Sequence, residues 1–197
     1  SRFMYDSWQN LVPEARRRGY DDVLTALEST LTARYGYDPE FEMLADAMRS
    51  RDRELVETLL AEKPSLAAAS DVRGNNAIHL AVMTDMRDLI GPLTKLGADM
   101  EARRADGSTP ILLAVNHDYW YHESRDVSPD IVDFLLERGA DYPLSIALFR
   151  QDGQRIDELL RAAPALATQL NAARQSHLFC AARAGQTEVV RRLLDLG

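Results

Sequence analysis

Apolar residues along this chain fall into short clusters that fit helices better than strands. Ile131, Val132, Leu135 and Leu136 stand at i, i+1, i+4 and i+5, and Val189, Val190, Leu193 and Leu194 repeat the spacing. At 3.6 residues per turn these positions form one stripe. Leucine pairs at Leu59-Leu60, Leu135-Leu136, Leu159-Leu160 and Leu193-Leu194 mark the same face in successive segments. Between the stripes lie shorter apolar runs, such as Ile78 to Met83, preceded by polar turns that contain glycine. Gly97 and Gly139 follow striped segments, where a left-handed cap ends a helix. The pattern predicts pairs of helices joined by tight turns.

The pairs recur. Gly74-Asn75-Asn76-Ala77-Ile78-His79-Leu80-Ala81-Val82 is echoed by Gly107-Ser108-Thr109-Pro110-Ile111-Leu112-Leu113-Ala114-Val115, with the glycines 33 residues apart. Gly97-Ala98-Asp99 returns as Gly139-Ala140-Asp141, 42 residues on. One pair cannot bury both of its helices alone, so neighbouring pairs must stack to create a core.

These segments resemble the ankyrin repeat, whose marks are a 33-residue period and Thr-Pro-Leu-His-x-Ala at the start of the first helix. Thr109-Pro110-Ile111-Leu112-Leu113-Ala114 matches with Leu112 in place of His, and Asn76-Ala77-Ile78-His79-Leu80-Ala81 keeps the His but not Thr and Pro. The resemblance covers residues 41–197. It implies an all-α ankyrin-repeat solenoid of stacked helix-turn-helix units with short β-hairpin fingers. About five units are expected: 41–70, 71–103, 104–141, 142–170, and a last one from about 171 that is cut off at Gly197. The first carries Leu44, Ala47, Leu55, Val56, Leu59 and Leu60 on its helices. Residues 1–40 read as an N-terminal helical pair, a cap or degenerate repeat, because Arg16-Arg17-Arg18-Gly19 leads into Val23, Leu24 and Leu27. Its second helix is expected to end before Gly36 and Pro39.

Four departures from the repeat stand out. The third unit carries an insertion, Asp118-Tyr119-Trp120-Tyr121-His122-Glu123-Ser124-Arg125-Asp126, between a first helix ending near His117 and a second capped by Ser128 and opened by Pro129. Its aromatics either grip a partner, as hot-spot residues do, or fold back onto the scaffold. Asp141-Tyr142-Pro143-Leu144 passes straight into the next first helix, so the finger there is missing. Leu60-x3-Pro64-x-Leu66-Ala67 recurs as Leu160-x3-Pro164-x-Leu166-Ala167, a proline exit in place of Gly-Ala-Asp. Pro92 falls within a second helix and should bend or shorten it.

Composition narrows the functional classes. A net charge of -8 makes nucleic acid and anionic membranes poor partners and favours a basic one. There is no 18-residue apolar run. The single cysteine, Cys180, excludes an intrachain disulfide and fits a reducing, cytoplasmic setting. Lys63 and Lys95 are the two lysines, so the other basic residues are arginines, suited to bidentate contacts. A start at Ser1 and a stop at Gly197 within a unit lead us to expect a piece of a longer chain.

No catalytic constellation emerges: no phosphate loop, no nucleophile elbow and no carboxylate pair placed for acid-base work. His117, His122, Glu123 and Asp126 do not meet a metal-ligand spacing, so neither metal nor cofactor is expected. The resemblance assigns His79 a structural role, its ring tying one finger to the next. Cys180 is expected in the core and His177 partly exposed. The expected function is an interaction module that binds a protein or peptide along the concave face of fingers and first helices. Two other readings stay open: an inhibitory or immunity-type protein covering a basic enzyme or toxin surface, and a regulatory ankyrin segment of a larger enzyme. The candidate contacts are Arg73, Asn75, Met83, Arg103, Arg104, Asp106, Ser108, His117, Tyr119, Trp120, Tyr121 and His122, with Val72, Thr84, Ala105 and Asn116 beside them. Trp120→Ala is expected to weaken the complex by about 2 kcal/mol while leaving the circular dichroism spectrum unchanged. Equal binding by that variant in a pull-down removes the loop from the site.

Overall fold

A computed structural model describes residues 11–115, 129–171 and 174–197. Helix α1 (11–18) turns at Gly19 into α2 (Asp21–Tyr35). Gly36 then takes a left-handed conformation (φ 69°) and its N–H caps the Thr32 carbonyl, ending the helix where expected. Helix α3 (Pro39–Arg49) starts sharply: Asp38 accepts from the Glu40 and Phe41 amides, and Pro39 sits where no amide hydrogen is needed. Helix α4 (Arg53–Glu62) is capped by Asp52, which accepts from the Leu55 amide. Then follow α5 (Ala77–Met83), α6 (Ile90–Lys95), α7 (Pro110–Val115), α8 (Pro129–Glu137), α9 (Leu144–Arg150), α10 (Gly153–Ala162), α11 (His177–Arg183) and α12 (Thr187–Asp195).

The first helices of the pairs, α3, α5, α7, α9 and α11, stack on one another in chain order, and each packs on the helix that follows it. One core cluster runs from Phe41 through Ile78, Ile90, Ile111 and Leu135 to Ile146. A second holds Leu144, Leu148, Ile156, Leu160 and Leu193. Helix α9 belongs to both, with Ile146 on one side and Leu144 and Leu148 on the other, and so couples the two halves. The α1–α2 pair has its own small cluster of Val12, Leu31 and Tyr37, and meets the stack through Val72. Val72 is therefore dictated by packing, contrary to the expectation that it is a free finger residue.

Local anomalies have local causes. The proline exits form 3-10 turns at Pro64–Ala68 and Pro164–Thr168, with Ala67 and Ala167 buried beneath them. Pro92 shortens its helix as expected: the preceding turn is 3-10 (Arg87–Leu89), and α6 begins late enough that Pro92 falls in its first turn. No strand forms among the described residues. Each of two fingers is a tight turn closed by a single bridge, Ser70 with Asn76 and Leu170 with Ser176. Ion pairs span successive units at the surface, Arg53 with Asp88, Arg150 with Asp133 and Arg192 with Asp157. Such exposed pairs add little beside the apolar core.

Leu135, fully buried where α8 meets the stack, tests the packing. Leu135→Ala should lower unfolding free energy in urea by about 3 kcal/mol, whereas Leu55→Ala, at a site 41% exposed, should cost well under 1 kcal/mol. Similar costs at both positions would contradict this arrangement.

Candidate partner-binding face

The finger ahead of α5 is organised by a carboxylate. Asp71 accepts from the amides of Arg73 (2.9 Å) and Asn75 (2.8 Å), while Gly74 N–H donates to the Asp71 carbonyl at 2.8 Å. Asp71 also lies 3.8 Å from Arg49, which pairs with Glu42 and Asp46 on α3. The next finger repeats the device: Asp106 accepts from the Ser108 amide, and Gly107 N–H reaches the Arg104 carbonyl. Gly74 is required twice over. Its φ is +79°, and a Cβ there would lie 3.1 Å from the Arg103 carbonyl oxygen of the neighbouring finger.

Three contacts bind the two fingers together. Ala105 N–H donates to the Arg73 carbonyl at 2.8 Å, and Asn76 Nδ2 donates to the Asp99 carbonyl at 2.6 Å. His79 supplies the third. Asn76 caps α5 by accepting from the Ile78 and His79 amides, and its own N–H donates to His79 Nδ1 at 3.2 Å. With Nδ1 accepting, the ring hydrogen sits on Nε2, 3.2 Å from the Ser108 carbonyl. The ring is fully buried, and this burial pushes its pKa down to about 4.

The structure separates the expected contact residues into groups. Arg103, Ala105 and Asp106 are exposed at the finger tips, with Arg73, Met83 and Thr84 half-buried nearby. Asn75 and Ser108 are buried, a correction to their reading as free residues. Asn75 donates to Asp71 Oδ2 at 2.7 Å, and the Ser108 carbonyl is occupied by His79. Arg104 is corrected too: its side chain is only 10% exposed and pairs with Asp106 at 3.3 Å. His117, Tyr119, Trp120, Tyr121 and His122, together with Asn116, Glu123, Asp126 and Ser128, lie outside the described residues.

His177 also departs from expectation. It is buried, with Nδ1 2.9 Å from the Leu166 carbonyl and Nε2 3.3 Å from Ser145 Oγ, so it joins the proline exit to α9. Cys180 is half-buried, packed against the second core cluster, and burial raises its thiol pKa.

Where the finger is missing, other groups fill its role. The Asp141 amide donates to Glu101 at 2.9 Å, the Arg155 guanidinium donates to the Tyr142 carbonyl, and Tyr142 Oη donates to Asp152 at 2.9 Å. Sequence reasoning passed over Glu101 and Asp71. The signal for Asp71 was present in Asp71-x2-Gly74-Asn75, an aspartate followed by a turn glycine. Nothing local marks Glu101, whose partner is 40 residues away.

The molecule is thus an all-α solenoid in which two successive units are wired finger to finger. The family model described as ankyrin repeat matches residues 106–147. Protein phosphatase 1 regulatory subunit 27 of Homo sapiens is 29% identical over 103 residues, 52% of this chain and 61% of that protein. A protein of Fowlpox virus (strain NVSL), described as an ankyrin repeat protein, is 32% identical over 140 residues, 67% of this chain and 37% of that one. An intracellular phospholipase A2 of Caenorhabditis elegans is 34% identical over 71 residues, 35% of this chain but 7% of that enzyme. The chain spans less than two thirds of the length of each of these relatives. With the stacked helix pairs and the finger wiring, these matches place the chain in the ankyrin-repeat family.

His79 has a pH signature. Above pH 6.5 the ring is neutral in both folded and unfolded chains, and its contribution to stability is whole. Between pH 6.5 and about 4 the unfolded chain takes up a proton that the folded one refuses, so stability falls with pH, by roughly 3 kcal/mol for a shift of this size. His177, whose pKa burial also lowers, acts in the same direction. His79→Gln should flatten this part of the urea-unfolding profile. A variant whose profile runs parallel to that of the parent would show that the ring does not titrate in this way.

Proposed function

We propose that this chain binds a protein or peptide through the tips of its fingers and the adjoining ends of its first helices. Ankyrin repeats are general protein–protein interaction modules. The observation that carries the assignment to this face is the hydrogen bonding between the fingers: Arg73, Arg103 and Asp106 stand on turns tied to one another by Ala105, Asn76 and His79. A surface fixed in this way loses little conformational entropy when a guest arrives, which is the main cost of ordering loops on binding. The proposed contacts are Arg73, Met83, Arg103 and Asp106, and Tyr119, Trp120 and Tyr121 are carried as further candidates from the sequence alone. Asn75, Ser108 and Arg104 act instead by holding the turns in place.

The net charge of -8 favours a basic partner, whose encounter would be steered by the field of the whole chain. The similarity to a phospholipase covers 7% of that enzyme, too small a part to argue for the same reaction here. The regulatory name of the phosphatase subunit suits a binding role for the present chain, acting on another protein instead of on a small substrate.

Capture from cell lysate on the immobilised chain, beside an Arg103→Glu chain, tests this reading. The captured partner should bind the variant roughly 10-fold or more weaker, as reversal of a central charged contact commonly does. Arg161→Glu, on α10 away from the fingers, should bind normally. Loss with Arg161→Glu but not with the finger variant would move the site to the opposite face.

A further inference from the structure

The finger at 70–76 is fastened on two sides. Toward the next unit, the Arg73 carbonyl accepts from the Ala105 amide at 2.8 Å. Toward the preceding helices, two further contacts hold it. The Asp71 side chain, 3% exposed, lies 3.8 Å from Arg49 Nη2. The same guanidinium reaches Glu42 at 3.3 Å and Asp46 at 2.8 Å, so one cation on α3 faces three carboxylates. This cluster is enclosed: burial holds the Glu42 carboxyl above its ordinary range, against the pull of Arg49. Val72, next in the chain, packs on the small core of the α1–α2 pair formed by Val12, Leu31 and Tyr37. Tyr37 is itself tied to α2, its carbonyl accepting from Thr32 Oγ1 at 2.8 Å. The finger is thus joined to α3 by charge and to α1–α2 by apolar contact.

The turn itself does not need this charge. Features of 42–76 recur 100 residues on, with 3-10 turns at Pro64 and Pro164, bridges at Ser70–Asn76 and Leu170–Ser176, and left-handed φ at Gly74 and Arg174. In the later finger an asparagine takes the place of Asp71. Asn171 Oδ1 accepts from the Gln175 amide at 2.9 Å, as Asp71 Oδ1 does from Asn75 at 2.8 Å. The Asn171 carbonyl accepts from the Arg174 amide at 2.9 Å, as the Asp71 carbonyl does from Gly74 at 2.8 Å. Phe149 stands where Arg49 does, Tyr142 where Glu42 does and Ile146 where Asp46 does. A neutral side chain therefore closes the same turn. A carboxylate as enclosed as Asp71 needs a cation close by, and that requirement fixes the place of the whole finger relative to α3.

We infer that Arg49 is a positioning residue for the partner-binding face, and that through Arg49 and Val72 the N-terminal helices set how Arg73 is presented. The inference rests on binding at the fingers and adds a control that lies outside the contact residues. Asp71 and Val72 directly precede Arg73, so a shift of either moves that contact residue. Arg103 and Asp106 follow, because their finger is bonded to the Arg73 carbonyl through Ala105. Displacing α1–α2, or removing the Arg49 charge, therefore loosens the fingers without touching a guest.

Amide exchange on the intact chain, on Arg49→Gln, on Asp71→Asn and on the double variant tests this. Asparagine at 71 can close the turn as Asn171 does, and a side chain so enclosed cannot reach a guest. Both single variants should speed exchange at Arg73, Asn75 and Ala105 roughly 10-fold while leaving α9 and α10 unchanged. The double variant should add little, since both changes remove one interaction. Arg49→Lys, which keeps the positive charge, should recover part of the protection. Affinity for the captured partner should fall in parallel, by roughly 3-fold or more. Unchanged exchange at the three amides in both single variants would overturn the inference. So would additive effects in the double variant, or a rise spread evenly over α9 and α10. Faster exchange at the finger with unchanged partner affinity would leave the anchoring intact and overturn binding at this finger instead.

Discussion

Helix α7 is six residues long, too short to close more than a few of its own hydrogen bonds, and α5, α9 and α11 have seven residues each. Helices of this length are unstable in water by themselves. They persist here because α5, α7 and α9 are each sandwiched between the first helices of their neighbours, α11 packs on α9, and each is backed by its own second helix, with side chains such as Ile78, Leu80 and Ile111 almost wholly removed from water. Stability is therefore a property of contacts between units, and a unit without a neighbour on one side shows apolar residues there, as α11 and α12 do.

Polar wiring at the fingers depends on that stack and also limits it. His79 and Asn76 can reach the Ser108 and Asp99 carbonyls because stacking brings successive fingers into register. Buried polar groups are costly unless satisfied, so the pairings select one relative position of the units over others with similar apolar contact. Burial opposes proton uptake at His79, while the Ser108 carbonyl facing Nε2 acts in the other direction and is outweighed.

The same wiring bears on the binding role proposed for the fingers. Loops generally gain binding surface at the expense of order. Here the finger tips are exposed, yet their backbones are held by Asp71, Asp106 and Gly74, so Arg73, Arg103 and Asp106 are displayed on a fixed frame. Lying at different levels of one stack, they suit recognition of a surface larger than a small molecule.

The linear order of residues was enough to establish the helix pairs, their stripes, the left-handed caps at Gly97 and Gly139, the proline exits and the burial of Leu135. Each of these follows from spacing along a single helix or from the backbone freedom of one residue. It was not enough to say which polar residues lie inside. Asn75, Ser108, Arg104 and His177 read as surface residues, and only the approach of a second finger, or of the Leu166 turn and α9, encloses them. The tie between Glu101 and Asp141 and the exposure of Phe179 were likewise decided by tertiary structure. Burial in a stacked array depends on the residues of the next unit, and that information is not local to the segment being read.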